Sequence, residues 1–180
     1  MKVRLANPDD APAIASIYAP YVTASAVSFE TEAPDEAEMR ARLEAGGRLY
    51  PWFVAGDADG TIAGFAYAGA FRARRAYRFA VETSVYVDGA LQGQGIGRRL
   101  YTSLLPLLEA QGFTQAIAAI TVPNAASVRL HEAFGFVPAG LYRDIGYKFG
   151  EWRSVGLWQL GLAPPAPQPD EPRPFPEVRL

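Results

Sequence analysis

The chain has 180 residues, 49% of them hydrophobic, with 17 basic and 19 acidic side chains and a formal net charge of −2. That describes one globular domain able to bury a substantial core, and the acidic balance argues against a nucleic-acid partner. The absence of cysteine excludes disulfides and a cysteine nucleophile, and one histidine is too few for an ordinary zinc site, so no metal is expected. No signal-peptide pattern opens the chain and no apolar run approaches a membrane span, so a cytoplasmic protein with no membrane partner is expected.

Lys2–Ala6 alternates as a short strand. Asn7-Pro8-Asp9-Asp10 is a helix start: a side-chain cap, a proline at the first position, and acids at the positive end of the dipole. Ile14, Ile17 and Tyr18 share a face of that helix, and Pro20 is expected to stop it. Ser28-Phe29-Glu30 lies in a loop before a second helix, from about Pro34 to Ala45, closed by Gly46-Gly47. From pattern alone Phe29 is a core residue and Glu30 a solvated acid. Trp52–Ala55 and Thr61–Ala70 read as antiparallel strands around the turn Gly56-Asp57-Ala58-Asp59-Gly60.

Phe71-Arg72-Ala73-Arg74-Arg75-Ala76-Tyr77-Arg78 puts four arginines and two aromatics into eight residues of an acidic chain. A solvated basic loop is one reading. An RNA-binding reading lacks a second basic face. A third is a carboxylate clamp, because guanidinium binds carboxylate in a bidentate fork.

Val81–Val87 reads as a central strand and carries Glu82. An acid in so apolar a strand is costly unless it is paired or used. It is either a half-exposed partner of one of the arginines or a general base, its pKa raised by burial toward a useful range. Asp88-Gly89 ends the strand, and Gln92-Gly93-Gln94-Gly95-Ile96-Gly97 opens a helix running to about Gln111, with Gly112 as its cap. Free backbone N–H groups and the helix dipole make such a turn an anion site, and its glycines let a phosphate come close. Arg98 and Arg99 add charge at the same mouth. The spacing fits neither a Walker A loop nor a Rossmann fingerprint. A tight turn without a ligand is the alternative.

Thr114–Val122 reads as a buried strand, so strand, helix and strand form a right-handed parallel unit. Pro123-Asn124 ends it, and a helix follows from about Ala125 to Phe134. Asn124, Ser127 and His131 form a polar stripe at helical spacing. Asn124 also suits an N-cap, Ser127 an N-terminal helix hydroxyl, and a lone histidine is commonly structural. Phe136–Arg143 and Trp152–Leu160 read as two closing antiparallel strands joined by residues 144–151. Their aromatics fit a core or a dimer interface equally well. The tail from Ala163 to Leu180 holds seven of the fifteen prolines and reads as extended or disordered.

Gln92-Gly93-Gln94-Gly95-Ile96-Gly97 resembles the Gln/Arg-x-x-Gly-x-Gly/Ala signature of the GNAT N-acetyltransferases. The likeness runs from the N-terminus to about residue 162 and is closest to the phosphinothricin and methionine sulfoximine acetyltransferase group. Val81-Glu82-Thr83-Ser84-Val85-Tyr86-Val87 and Gly146-Tyr147-Lys148-Phe149-Gly150-Glu151-Trp152 carry it further. Ala80 and Ser154 depart from it, standing where relatives often have Thr and Asp.

The resemblance implies a GNAT-like α/β (α+β) fold: a mostly antiparallel sheet with one splayed parallel pair and about four helices, over an acetyltransferase domain at 1–162 followed by the tail 163–180. It implies acetyl-CoA as co-substrate. Ser84, Val85, Tyr86 and Val87 would lie along its acyl end, with backbone N–H groups of Val85 to Val87 polarising the thioester. Gln92, Gly93, Gln94, Gly95, Ile96, Gly97 and Arg98 would hold the pyrophosphate, and Asn124 and Ser127 the pantetheine arm. Glu82 becomes the general base for the acceptor's amine, and His131 the acid for the leaving thiolate. Phe29, Glu30, Phe71, Arg72, Arg75, Tyr77 and Thr83, with Glu82, would line the acceptor site. The expected acceptor is a small amino-acid analogue of the phosphinothricin, methionine sulfoximine or methionine sulfone type, attacked directly in a ternary complex, and a homodimer is expected. A protein N-terminus as acceptor, or a non-catalytic acyl-CoA sensor, are the alternatives.

Overall fold

The structure, a computed structural model, describes residues 1–178. Its strands are β1 (Lys2–Leu5), β2 (Trp52–Gly56), β3 (Ile62–Ala70), β4 (Ala80–Val87), β5 (Gln115–Val122), β6 (Val137–Lys148) and β7 (Glu151–Gly161). They form one open sheet in the order β1-β2-β3-β4-β5-β7-β6. Every neighbouring pair is antiparallel except β4 and β5. The helices are α1 (Ala11–Thr23), α2 (Glu36–Ala45), α3 (Ile96–Gln111) and α4 (Ala125–Glu132). The expected mixed α/β sheet with one parallel pair and four helices is therefore present.

The sheet separates two apolar clusters. On one face Leu100, Leu104 and Leu108 of α3 pack on Ala66, Ala68 and Val81. On the other, Ile14, Ile17 and Tyr18 of α1 and Met39 of α2 cover Val54 and Phe65. Strand alternation produces this division: Ala66 and Ala68 belong to the α3 face, and Phe65 to the α1 face. Among the described residues no helix is long and apolar enough to cross a membrane.

Local chemistry differs from the sequence expectation at three places. Pro20 does not stop the first helix: α1 runs through it to Thr23. Proline removes one N–H but keeps its carbonyl, and here that carbonyl accepts from Ala24 N–H. The Thr23 hydroxyl donates to Ala19 O, which further secures the last turn. Second, α3 starts at Ile96 rather than Gln92, because Gly93 and Gly95 are left-handed with φ of 78° and 77°. Third, most of the expected connection 144–151 is strand. β6 and β7 meet at Phe149-Gly150, whose φ values of 54° and 78° suit a two-residue hairpin turn. A register shift between Tyr142 and Gly146 takes up the additional residues, with Asp144 at φ 47° and its N–H on the Ser154 hydroxyl.

Residues 163–178 run as an extended strap ending in a short turn at Phe175–Glu177. The strap is tied to the domain by Arg173 N–H to Gln111 O and Phe175 N–H to Arg48 O. The buried Gln111 amide answers with bonds to Leu49 O and Arg173 O.

Candidate active site

The site is created where β4 leaves β5. Their parallel pairing covers only Ala80–Glu82 against Gln115–Ile117. Beyond that point β5 remains paired to β7 as far as Val122 and β4 to β3 as far as Val87, so the two halves of the sheet splay apart between them. The gap is lined by Thr83, Ser84, Val85 and Tyr86 on one side and Ile120, Asn124, Ser127 and His131 on the other. It meets a groove of about 550 Å³ that includes Val85, Val87, Gln92, Gly93, Gly95, Ile96, Gly97, Arg98, Asn124 and Ser127. The groove thus gathers most of the cofactor residues read from the sequence. Gln94 is exposed in the same glycine turn but does not line the groove.

Each wall has a local cause. The left-handed backbone at Gly93 and Gly95 is one that glycine adopts without steric cost, and it leaves the first N–H groups of α3 facing the groove. Gly97 lets α3 approach α4: a Cβ there would stand 3.0 Å from Leu130 Cδ2. Asn124 caps α4 by accepting from Ser127 N–H at 3.1 Å. Tyr21 was not singled out in the sequence. Its hydroxyl donates to Val87 O and accepts from Gln92 Nε2 at 3.0 Å and from Val87 N–H at 3.3 Å. Of the Val85–Val87 amides, that of Val87 therefore already has a partner.

On the α1 face, Glu82, Ser84 and Tyr86 project beside Gly69, Tyr67 and Phe65 of β3, their register partners. Burial raises the Glu82 pKa above the ordinary carboxylate value, and the nearby Arg72 charge opposes that rise. Glu82 is thus a poorly solvated acid with one cationic neighbour. Arg72 itself is exposed, lies over the Phe71 ring at 5.1 Å and donates to the Tyr142 hydroxyl at 3.3 Å. Phe71 meets Tyr77 edge-on at 5.7 Å. Arg75 is turned elsewhere: it and Arg78 bind Glu171 of the strap.

Glu30 is no free loop acid. Arg42 holds it in a fork at 2.8 and 2.9 Å, and Tyr18 donates to it at 2.8 Å, so its pKa lies below the ordinary value. The loop bearing it is fixed by Lys148, whose buried ammonium donates to Val22 O and Ser28 O at 2.7 Å each. Phe29 is 38% exposed and lies against Gly146, so it is not a core residue. Arg42 carries no local sequence signal, and Lys148 only that of the Gly146–Trp152 segment; tertiary placement brings both here.

Thr83 points to the opposite face, into a buried network. The Tyr101 hydroxyl lies 2.8 Å from His131 Nε2 and 3.3 Å from Thr83 Oγ1. His131 Nδ1 lies 2.8 Å from Ser127 O, and a carbonyl can only accept. Nδ1 therefore carries the hydrogen, and Nε2 accepts from Tyr101. Burial lowers the His131 pKa, with the Ser127 bond opposing, so the ring is neutral at pH 7. In the sequence Tyr101 reads as one more apolar position of α3. Among the described residues no group of three or more His, Asp or Glu side chains is placed to hold a metal ion.

A sheet parted at its one parallel pair, with a glycine turn and helix N-terminus at the mouth of the gap, is the architecture of an acyl-transfer enzyme that takes its acyl group from a phosphate-bearing carrier. The sequence profile of the acetyltransferase (GNAT) domain matches residues 3–154, and the chain belongs to that family. It is 44% identical over 174 residues to the phosphinothricin N-acetyltransferase of Streptomyces viridochromogenes, covering 97% of this chain and 92% of that one. It is 36% identical to the L-methionine sulfoximine/L-methionine sulfone acetyltransferase of Pseudomonas aeruginosa, covering 90% and 95%. Among solved structures, a phosphinothricin acetyltransferase of Sinorhizobium meliloti in complex with AcCoA superposes with a TM-score of 0.89 at 36% identity, covering 97% of each chain.

Proposed function

We propose that the protein transfers the acetyl group of acetyl-CoA to the α-amine of a small amino-acid analogue of the phosphinothricin, methionine sulfoximine or methionine sulfone type. The observation that carries this reading is Glu82, a carboxylate at the last paired position before β4 and β5 part, raised in pKa by burial and with the Arg72 charge nearby. The relatives named for these acceptors, and the AcCoA complex of a similar structure, support it.

In this mechanism the pyrophosphate lies on the N–H groups of the turn Gly93–Gly97, with Arg98 beside it. Asn124 and Ser127 flank the pantetheine arm, and the thioester reaches the gap at Ser84–Tyr86. Free N–H groups of β4, released from pairing with β5, stabilise the oxyanion of the tetrahedral intermediate. The acceptor arrives as an ammonium ion. Glu82 removes its proton, directly or through a water, and the amine attacks the acetyl carbonyl in a ternary complex. Collapse of the tetrahedral intermediate breaks the C–S bond, and the second proton lost by the nitrogen passes, directly or through water, to the departing CoA thiolate. Arg72 holds the acceptor's carboxylate, while Phe29 and the Arg42-bound Glu30 close the pocket.

For His131 the geometry favours a role other than the acid that the resemblance implies. Its Nε2 accepts from Tyr101 and its one hydrogen is committed to Ser127 O, so it is better suited to hold Ser127 and Thr83 against the gap than to deliver a proton. We read it as a positioning residue. We also propose a homodimer formed through the outer sheet edge. β6 is the terminal strand of the sheet, and Leu141, Ile145, Tyr147 and Trp152 of the β6–β7 hairpin are 44 to 63% exposed. The reaction is a cytoplasmic one in this reading.

The test is thiol release from acetyl-CoA with phosphinothricin, methionine sulfoximine and methionine sulfone as separate acceptors, repeated with Glu82→Gln. Acceptor-dependent release, reduced about a hundred- to ten-thousand-fold in the variant, supports the assignment. A loss under about tenfold at saturating substrates removes Glu82 from the role of base. Binding of acetyl-CoA without release to any amine points to a sensor. Light scattering of the protein in solution tests the dimer.

A further inference from the structure

A second cavity, of about 310 Å³, opens on the α1 face beside Glu82. Its walls are Met39 of α2, Tyr50, Trp52 of β2, and Phe65 and Tyr67 of β3. The register makes it continuous with the site. Tyr67 pairs with Ser84, and Gly69, which borders the cavity, pairs with Glu82. A Cβ at Gly69 would meet nothing within 4 Å, so no side chain separates Glu82 from the cavity at that point.

The chemistry of the walls is apolar and aromatic. Trp52 stacks on Tyr67 with centroids 4.0 Å apart and planes 9° apart, and on Phe65 at 5.9 Å. Five lining side chains carry a polar group, Tyr18, Arg42, Tyr50, Trp52 and Tyr67; none is anionic, and the one cation among them is already engaged. Arg42 is neutralised by its fork to Glu30 and by Glu38, and the Tyr18 hydroxyl is bonded to Glu30 and Ser28. An anionic group placed here would lose hydration and gain no free cation, whereas an apolar group gains contact and leaves water. Pockets of about 300 Å³ and above are of ligand size.

We infer that this cavity is the side-chain subsite of the acceptor, and that it selects α-amino acids with large, uncharged side chains, aromatic ones above all. This rests on the reading of Glu82 as the base for the α-amine. With the amine at Glu82 and the carboxylate at Arg72, the side chain passes over Gly69 and lies against Trp52 and Tyr67. The short anionic arm of phosphinothricin stays outside, on the arginine side.

The experiment compares kcat/KM for phenylalanine and for phosphinothricin in the wild type and in Ala45→Phe. Ala45 is an exposed cavity-lining residue at the end of α2, so a larger side chain there fills the space without disturbing the core. Ala45→Leu and a thermal melt of each variant guard against misfolding. Acetylation of phenylalanine by the wild type is expected. The variant should lose tenfold or more in kcat/KM for phenylalanine, mainly through KM, with phosphinothricin changed less than twofold. Equal loss for both acceptors, no loss for either, or phosphinothricin turnover without any on phenylalanine each overturns the subsite. Failure of the base assignment is seen separately, as Glu82→Gln retaining activity on whichever acceptor is used.

Discussion

Tyr101 and His131 share a 2.8 Å hydrogen bond from the phenol to Nε2, in a region where His131 is 3% exposed and Tyr101 fully buried. It joins α3 to α4 across the inner end of the gap, with the histidine tautomer fixed by the Ser127 carbonyl at Nδ1. A neutral buried imidazole makes stability depend on pH. The folded-state pKa is lowered, so the stabilising contribution is complete above the unfolded value of 6.5 and declines as pH falls through it. Unfolding free energies from denaturant titrations should therefore fall as the pH drops below 6.5, and His131→Phe should flatten that slope. Tyr101→Phe leaves Nε2 unpaired in the core and should cost about 1–3 kcal/mol. As a positioning effect, the His131 variant should raise KM for acetyl-CoA while the alkaline limb of the kcat profile stays in place. Loss of that limb would instead make His131 the acid.

Glu82 carries the opposite sign. Its folded pKa is raised, so its charge weakens the fold as pH rises from the unfolded value of 4.5 through the folded one. Glu82→Gln should thus melt no lower than the wild type at pH 7, and higher by up to a few degrees, while losing its catalysis. Paired melting and rate measurements check this. A melting point that falls with the rate would mark Glu82 as a structural ion-pair partner of Arg72.

The glycine turn and the acid of β4 were legible in the sequence because both break a local rule. Three glycines interrupt a helix start, and a carboxylate interrupts an apolar strand. The sheet's single parallel pair followed from strand-helix-strand order. What was hidden has no local signature. Arg42 reads as one more charge on an exposed helix, yet it holds Glu30. Arg75 reads as a second clamp residue behind Arg72, and its engagement by the strap's Glu171 is not visible in the sequence. Pro20 reads as a stop, yet a helix loses only one bond to an exposed proline when neighbouring hydroxyls support its last turn.

Gly95 is a position where backbone, not contact, decides. A Cβ there would meet nothing within 4 Å, but its φ is 77°. Gly95→Ala should cost about 1 kcal/mol of local strain and tilt the first N–H groups of α3 away from the groove. A several-fold rise in KM for acetyl-CoA, with acceptor KM unchanged, is expected in steady-state kinetics. Unchanged cofactor affinity would place the pyrophosphate elsewhere.

Gly146 lies against Phe29, which is proposed to close the acceptor pocket. A Cβ at this position would stand 2.2 Å from Phe29 Cε2, an impossible approach that the exposed Phe29 ring must relieve by swinging away. Because the obstacle is the end of a side chain, the fold should survive Gly146→Ala with little change in melting point. The acceptor KM should rise several-fold while that for acetyl-CoA holds. The double variant Gly146→Ala with Phe29→Ala removes the collision, and should show no loss beyond that of Phe29→Ala alone. An additive loss would show that Gly146 acts independently of Phe29.

The strap contributes through its apolar anchor rather than its charges. Phe175 packs on the α3 cluster, and its N–H binds Arg48 O. Phe175→Ala should lower stability by about 1–3 kcal/mol, less than a fully buried phenylalanine, because Phe175 is only partly covered. Glu171→Gln removes exposed pairs with Arg75 and Arg78, which water and salt already screen, so its melting point should stay near the wild type. The two substitutions then separate anchoring from arginine placement. If Glu171→Gln leaves stability intact but shifts acceptor KM, the strap steers the arginine segment. If neither activity nor stability changes, Arg72 keeps its place through Phe71 and Tyr142 alone.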